Sequence, residues 1–115
     1  MRARLDIPLL ISEILEATGG HAQNIDPNVT VCAITTDTRE MFPGDLFVAL
    51  SGSFFDGENF CDLAVKSGCH CISRHHINGI IVKNTEDALL AIVAYYRLKL
   101  KHLKKVMYKC EVIKC

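Results

Sequence analysis

The chain has no tryptophan, only three prolines, and no excess charge of either sign, thirteen Lys and Arg being matched by thirteen Asp and Glu in 115 residues. Without net charge it lacks the broad basic surface on which nucleic-acid and membrane-surface binding depend, so any anion site must be local. Long hydrophobic runs are also missing. No segment approaches the roughly 20 apolar residues of a membrane span. The stretch Ile7 to Ile11 follows a basic Met1-Arg2-Ala3-Arg4 but ends at Ser12-Glu13, too short for a secretory signal. These absences place the protein in the cytoplasm, with neither nucleic acid nor membrane as partner. There its six cysteines are read as free thiols rather than a disulfide framework. No Cys-x-x-Cys pair suggests thioredoxin-like redox chemistry.

What is present is a chain half of whose residues are hydrophobic, the size and composition of one globular domain. Ile11, Ile14, Leu15 and Thr18 share a helical face, and Gly19-Gly20 follows, predicting a short helix from Leu9 to Thr18. The β-branched run Val29 to Ile34 reads as a strand. Pro43-Gly44 marks a turn before Leu46 to Leu50, a strand apolar enough to be buried on both faces. After the loop Ser51 to Gly57, Phe60, Leu63, Ala64 and Ser67 repeat at helical spacing up to Gly68, and Cys69 to Ser73 and Gly79 to Val82 read as strands. Asn84-Thr85 can cap a long last helix whose buried stripe is Leu89, Ile92, Val93, Tyr96 and Leu100. The lysines crowding its end suit the negative pole of the helix dipole. Helices alternating with buried strands predict an α/β domain, a mixed sheet with helices on both faces.

Cys69-His70-Cys71 with His75-His76 offers zinc-type ligands. The spacing argues against a metal site, because Cys-x-Cys in a strand gives no second pair to complete four ligands. No metal is assigned.

The run Thr36-Asp37-Thr38-Arg39, then Pro43-Gly44-Asp45-Leu46-Phe47-Val48-Ala49-Leu50, then Gly52 and Asp56-Gly57 resembles the N-terminal domain of the Mur ligases, the peptidoglycan-building enzymes. Glu16-Ala17-Thr18-Gly19-Gly20 upstream and Ala64 to Gly68, Ile81-Val82, Ala88-Leu89 and Tyr96-Arg97 downstream keep the same order, so the likeness covers residues 9–106. Ala17-Thr18-Gly19-Gly20 and the Thr-Asp-Thr-Arg run are most similar to the branch that adds a D-alanyl-D-alanine dipeptide. The amino-acid-adding branch is the alternative.

The resemblance implies an N-terminal domain over 1–106 that binds the UDP part of a UDP-N-acetylmuramoyl-peptide. Thr36, Thr38 and Arg39 would contact the ligand from one loop and Ser53, Phe54 and Phe55 from a second, with Asp37, Pro43, Gly44, Asp45, Gly52, Asp56 and Gly57 shaping the loops. These residue types suit the ligand. Uracil presents one donor between two acceptors, which loop backbone and hydroxyls can read, and a flat face that favours aromatic contact. Asp37 and Arg39 have a second reading, as a pair bonded to each other or to turn amides. Phe47 reads as core, and Pro43-Gly44-Asp45 as architecture.

ATP and Mg²⁺ serve the full-length family enzyme. The phosphate loop Gly-x-x-x-x-Gly-Lys-Ser/Thr that holds ATP is absent here, and 107–115 departs from the family. The expectation is therefore a piece without the central and C-terminal ligase domains, inactive alone, whose tail is an edge strand or unordered. A stand-alone UDP-sugar-binding module and a small zinc or thiol protein are the other readings. Two departures within the domain stand out: Glu58-Asn59 where the family often has His-Asp, and Cys69 where alanine is usual.

Overall fold

The computed structural model describes residues 1–52, 55–76 and 78–114, the side chains of Phe55 and of 110–114 excepted. In chain order the elements are β1 Arg2–Leu10, α1 Ile11–Thr18, β2 His21–Gln23, β3 Thr30–Thr35, β4 Leu46–Val48, β5 Ser51–Gly52 and β6 Phe55–Asp56. A 3₁₀ turn Gly57–Phe60 leads into α2 Cys61–Lys66, followed by β7 His70–Ser73, β8 Gly79–Ile81 and α3 Thr85–Lys114. Six strands form one mixed sheet in the order β1-β3-β4-β7-β8-β2, and β5 and β6 form a small hairpin. The inner four strands run parallel, with β1 and β2 antiparallel at the edges.

Side-chain alternation along β4 divides the core in two. Leu46 and Val48 join Leu9, Ile11, Ile14, Ile72, Ile80 and Ile92 in the larger cluster beneath α1 and α3. Phe47 points the other way and meets Ala49, Cys61, Ala64, Cys69 and Cys71 under α2. All three β4 residues are fully buried, as a strand covered on both faces requires. Each such side chain contributes about 1.5–3 kcal/mol of hydrophobic stabilisation. The small residues around Phe47 let α2 lie close to the sheet. In that setting cysteine behaves as a small hydrophobe and replaces alanine readily.

Three departures from the sequence reading go beyond shifts of a residue or two at strand ends. Arg2 to Leu10 is a strand, and α1 begins at Ile11 rather than Leu9. The signal is the alternation Leu5, Ile7, Leu9, but it is interrupted: the register with β3 slips between Arg4 and Leu9, a bulge that accommodates Pro8, which has no N–H to give a ladder. The second is β2, three exposed residues with no pattern of their own, made a strand by pairing with β8. Third, 107–114 continues α3 and is neither edge strand nor unordered tail. No Gly or Pro occurs from Thr85 onward, and Leu, Lys, Met and Glu are strong helix formers, so nothing in that stretch stops the helix.

Glu13 ties α1 to α3. It accepts the Leu10 N–H at 3.0 Å, the Tyr95 hydroxyl at 2.9 Å and the Lys99 ammonium at 2.8 Å. Burial alone would raise its pKa, but these three donors outweigh it and hold the carboxyl below its ordinary range. Among the described residues no helix is long and apolar enough to cross a membrane.

Candidate functional site

The parallel strands deliver their following loops to one edge of the sheet. Their registers pair Thr35 with Phe47, Val48 with Ile72 and Ser73 with Ile81, so the segments after β3, β4, β7 and β8 emerge side by side. Open α/β sheets bind ligands at this carboxyl edge. Here the edge holds Thr36 to Arg39, the β5 and β6 strands with Gly57, Arg74, and Lys83 before α3.

The first loop is braced from below. Thr35, fully buried, accepts the Asp37 N–H at 3.1 Å and donates to the Asp37 carbonyl at 3.0 Å. Thr36 is tied to the N-terminus, its N–H donating to the Met1 carbonyl at 2.9 Å. Asp37 and Arg39 bond to each other. The guanidinium donates from Nε to Oδ1 at 3.0 Å and from Nη2 to Oδ2 at 2.8 Å, while the Arg39 N–H donates to Oδ1 at 2.9 Å. The side-chain bond from Arg39 is the main reason that the Asp37 carboxyl is lowered to about 2. Thr38 differs from its neighbours: half-buried, it makes no hydrogen bond through its hydroxyl among the described residues.

The Pro43-Gly44 turn is architectural, as its composition indicates. Gly44 has φ +90°, which glycine adopts without strain, and the Asp45 N–H closes the turn on the Phe42 carbonyl at 3.0 Å. Asp45 is buried and takes a two-pronged ion pair from Arg2.

In the second loop the partners Ser51 with Asp56 and Gly52 with Phe55 form the hairpin. Asp56 accepts the Ser51 hydroxyl at 3.1 Å and the Glu58 N–H at 3.0 Å, capping the 3₁₀ turn. Gly57 approaches protein backbone rather than open space. A Cβ there would collide with the Leu50 backbone, 2.7 Å from its nitrogen, and the Gly57 N–H donates to the Leu50 carbonyl at 2.7 Å. Around Gly52 a Cβ would meet nothing within 4 Å. Ser53 and Phe54 lie outside the described residues, as does the Phe55 side chain.

Two basic residues that the sequence reading passed over sit at the same edge. A recess of about 220 Å³ is lined by Ser51, Arg74, Lys83, Asn84, Thr85 and Glu86, and it adjoins the second loop through Ser51. Asn84 caps α3 by accepting the Asp87 N–H at 2.9 Å. Arg74 is positioned by Glu58, which accepts the Arg74 N–H at 2.6 Å and lies 3.6 Å from its Nε. Glu58, one of the departures from the family, thus acts on the neighbouring strand's loop. The missed signal was positional: Arg74 directly follows the end of β7 at Ser73, and Lys83 lies two residues beyond the end of β8 at Ile81.

The zinc-type residues scatter. The Cys69 thiol donates to the Phe42 carbonyl at 3.1 Å, Cys71 faces Cys61 at 3.1 Å in the buried core, and His76 Nε2 meets Asp62 at 2.7 Å. Among the described residues no three His, Cys, Asp or Glu side chains gather as a metal site.

Comparison with known proteins supplies the family. No protein-family model matches the chain. It is 36% identical over 96 residues to the UDP-N-acetylmuramoyl-tripeptide--D-alanyl-D-alanine ligase of Escherichia coli (strain K12), a match covering 79% of this chain and 21% of that protein. A ligase of the same name from Buchnera aphidicola subsp. Acyrthosiphon pisum (strain APS) is 34% identical over 83% of this chain and 22% of its own length. Ligases of the diaminopimelate-adding kind match as well, one from Gloeobacter violaceus (strain ATCC 29082 / PCC 7421) at 36% over half of this chain and 12% of its own. Among solved structures, the UDP-N-acetylmuramoylalanyl-D-glutamyl-2,6-diaminopimelate--D-alanyl-D-alanyl ligase of Acinetobacter baumannii superposes with a TM-score of 0.71 at 30% identity. That superposition covers 84% of this chain and 23% of the solved one. The chain spans about a fifth of the length of these relatives.

Proposed function

Because the chain belongs to the Mur ligase family, where it corresponds to the N-terminal domain, we propose that it binds the uridine diphosphate part of a UDP-N-acetylmuramoyl-peptide. The observation that carries this reading is the contrast within the first loop. Thr36, Asp37 and Arg39 are bonded to protein, while the half-buried Thr38, at the carboxyl edge of the sheet, has a hydroxyl that bonds nothing among the described residues. A loop fixed on all sides of one free polar group is organised to present that group to a ligand.

In this reading Thr38 bonds the uridine, with Thr36 and Arg39 beside it, and the resemblance to the family assigns Ser53, Phe54 and Phe55 to a second uridine-contacting loop. The diphosphate extends toward Arg74, Lys83 and the first amides of α3, where a helix N-terminus and two cations favour negative charge. The Ala17-Thr18-Gly19-Gly20 signature supports assignment to the dipeptide-adding branch.

ATP and Mg²⁺ do not fit the residues present. The chain has no Gly-x-x-x-x-Gly-Lys-Ser/Thr loop, and its described acidic side chains form no metal cluster, so no step through either is assigned to it. Its part in the ligase reaction is to hold the nucleotide end of the substrate.

Titration calorimetry with UDP and with UDP-N-acetylmuramoyl-tripeptide tests the proposal. Both should bind weakly and with similar affinity, because the contacts lie at the nucleotide end. Absence of heat with either ligand, on a sample shown to be folded, overturns it.

A further inference from the structure

The outer face of α3 carries an ordered arrangement that the core does not use, and of its members Glu86 alone also lines the recess beside Ser51. At 100° per residue, Glu86, Asp87, Leu90, Ala94, Leu98, Lys101 and Lys105 fall within an arc of about 120°. All seven are exposed, Leu90 at 67% and Leu98 at 70%. The opposite side of the helix packs on the domain through Leu89, Ile92 and Tyr96. Arg97 and Lys104, also exposed, lie at the margin of the same arc, so the outer stripe runs acidic, then apolar with Arg97 at its edge, then basic along the helix.

That sequence is complementary to itself in reverse. Laid antiparallel with Ala94 of each copy at the two-fold axis, the stripe sets Leu90 against Leu98 and Asp87 against Lys101, with Glu86 and Lys105 within a turn of opposite charges. Both contacts occur twice, as a two-fold interface requires. The small side chain at the axis allows the helices to approach toward the short end of the usual 8–10 Å separation. The charge imbalance extends beyond the stripe: residues 97–109 hold six basic and no acidic residues, whereas residues 1–96 hold twelve acidic against six basic. A parallel arrangement would set the basic ends together and is repulsive.

We propose that the outer face of α3 is a self-association surface, on which a second copy of this chain docks antiparallel through Leu90, Ala94 and Leu98, with Glu86 and Asp87 against Lys101 and Lys105.

Sedimentation velocity on the full chain provides the test. The expected result is a concentration-dependent dimer in low salt that weakens as salt rises, since the flanking pairs are exposed and screened. Leu98→Glu, which leaves both helix ends intact, should weaken dimerisation at least about tenfold, equivalent to ~1.4 kcal/mol. The double variants Glu86→Lys with Asp87→Lys, and Lys101→Glu with Lys105→Glu, should each stay monomeric alone yet form a heterodimer when mixed. Circular dichroism verifies that each variant is folded. A wild-type chain that remains monomeric at all concentrations overturns the proposal, as do charge variants that self-associate like the wild type or fail to associate on mixing.

Discussion

Arg2 and Asp45, 43 positions apart, meet in a two-pronged ion pair, Nε to Oδ2 at 2.6 Å and Nη2 to Oδ1 at 3.0 Å, that fastens β1 to the turn preceding β4. Asp45 also accepts the Phe42 N–H at 3.0 Å, and the Arg2 guanidinium lies 4.6 Å from the centre of the Phe42 ring. The edge strand and the turn that starts the buried strand are thereby held as one unit.

Asp45→Ala leaves the Phe42 amide and the Arg2 guanidinium without their acceptor, and urea unfolding should show a loss of about 1–3 kcal/mol. Burial alone would raise the Asp45 pKa, but the Arg2 and Phe42 hydrogen bonds and the Arg2 charge outweigh it and lower the value. A carboxylate that stays charged to lower pH when folded contributes stability that is fully present above the unfolded value of about 3.9. That contribution disappears as pH falls through the folded value. Asp37, at about 2, acts in the same direction. In acid titrations Asp45→Asn should flatten the loss of stability below about pH 4; an unchanged acid limb would remove Asp45 from this role.

Thr38→Val keeps the side-chain shape and deletes the hydroxyl. One neutral hydrogen bond to ligand corresponds to about 0.5–1.5 kcal/mol, or roughly two- to twelve-fold in UDP affinity. Because that hydroxyl bonds nothing in the described protein, the melting temperature should not move. Equal affinity in the calorimeter would show that Thr38 does not touch the ligand.

Thiol reactivity should follow burial. Cys32 is exposed, whereas Cys61, Cys69 and Cys71 are buried. Burial pushes the Cys69 thiol up, and the neighbouring Cys61 together with burial pushes Cys71 far up, so little reactive thiolate forms at either. Mass-mapped alkylation of the native protein should label Cys32 well before those three, and denaturant should abolish the difference. Early labelling of Cys71 would show that the α2 face opens readily.

Removing 107–115 should leave the melting temperature within a few degrees, as for a loss under about 0.5 kcal/mol in a domain of this size. Val106, Met107 and Tyr108 are 43%, 56% and 68% exposed, so the helix has already left the domain surface there. A large drop in a calorimetric scan would mean that the end of α3 packs on the body.

The sequence by itself determined the middle of this protein: the doubly buried β4, the helical stripe of α3 and the Pro43-Gly44 turn, though not the buried face of α2, where Leu63 is 49% exposed. Each is a short-range pattern whose period or backbone requirement is written in adjacent residues. The family was legible for the same reason, since its motif lies in two loops close together in the chain. Tertiary structure alone decided the edges and the pairings. The exposed β2 is a strand because β8 offers it unpaired backbone groups, and the bulge at Pro8 hides the alternation of β1. It also brought Asp37 and Arg39 together as a pair and set Arg74 and Lys83 beside Ser51 at the same edge. Hydrophobic period is a property of neighbours along the chain, whereas ion pairs and recesses depend on which strand ends come side by side, and sheet order sets that.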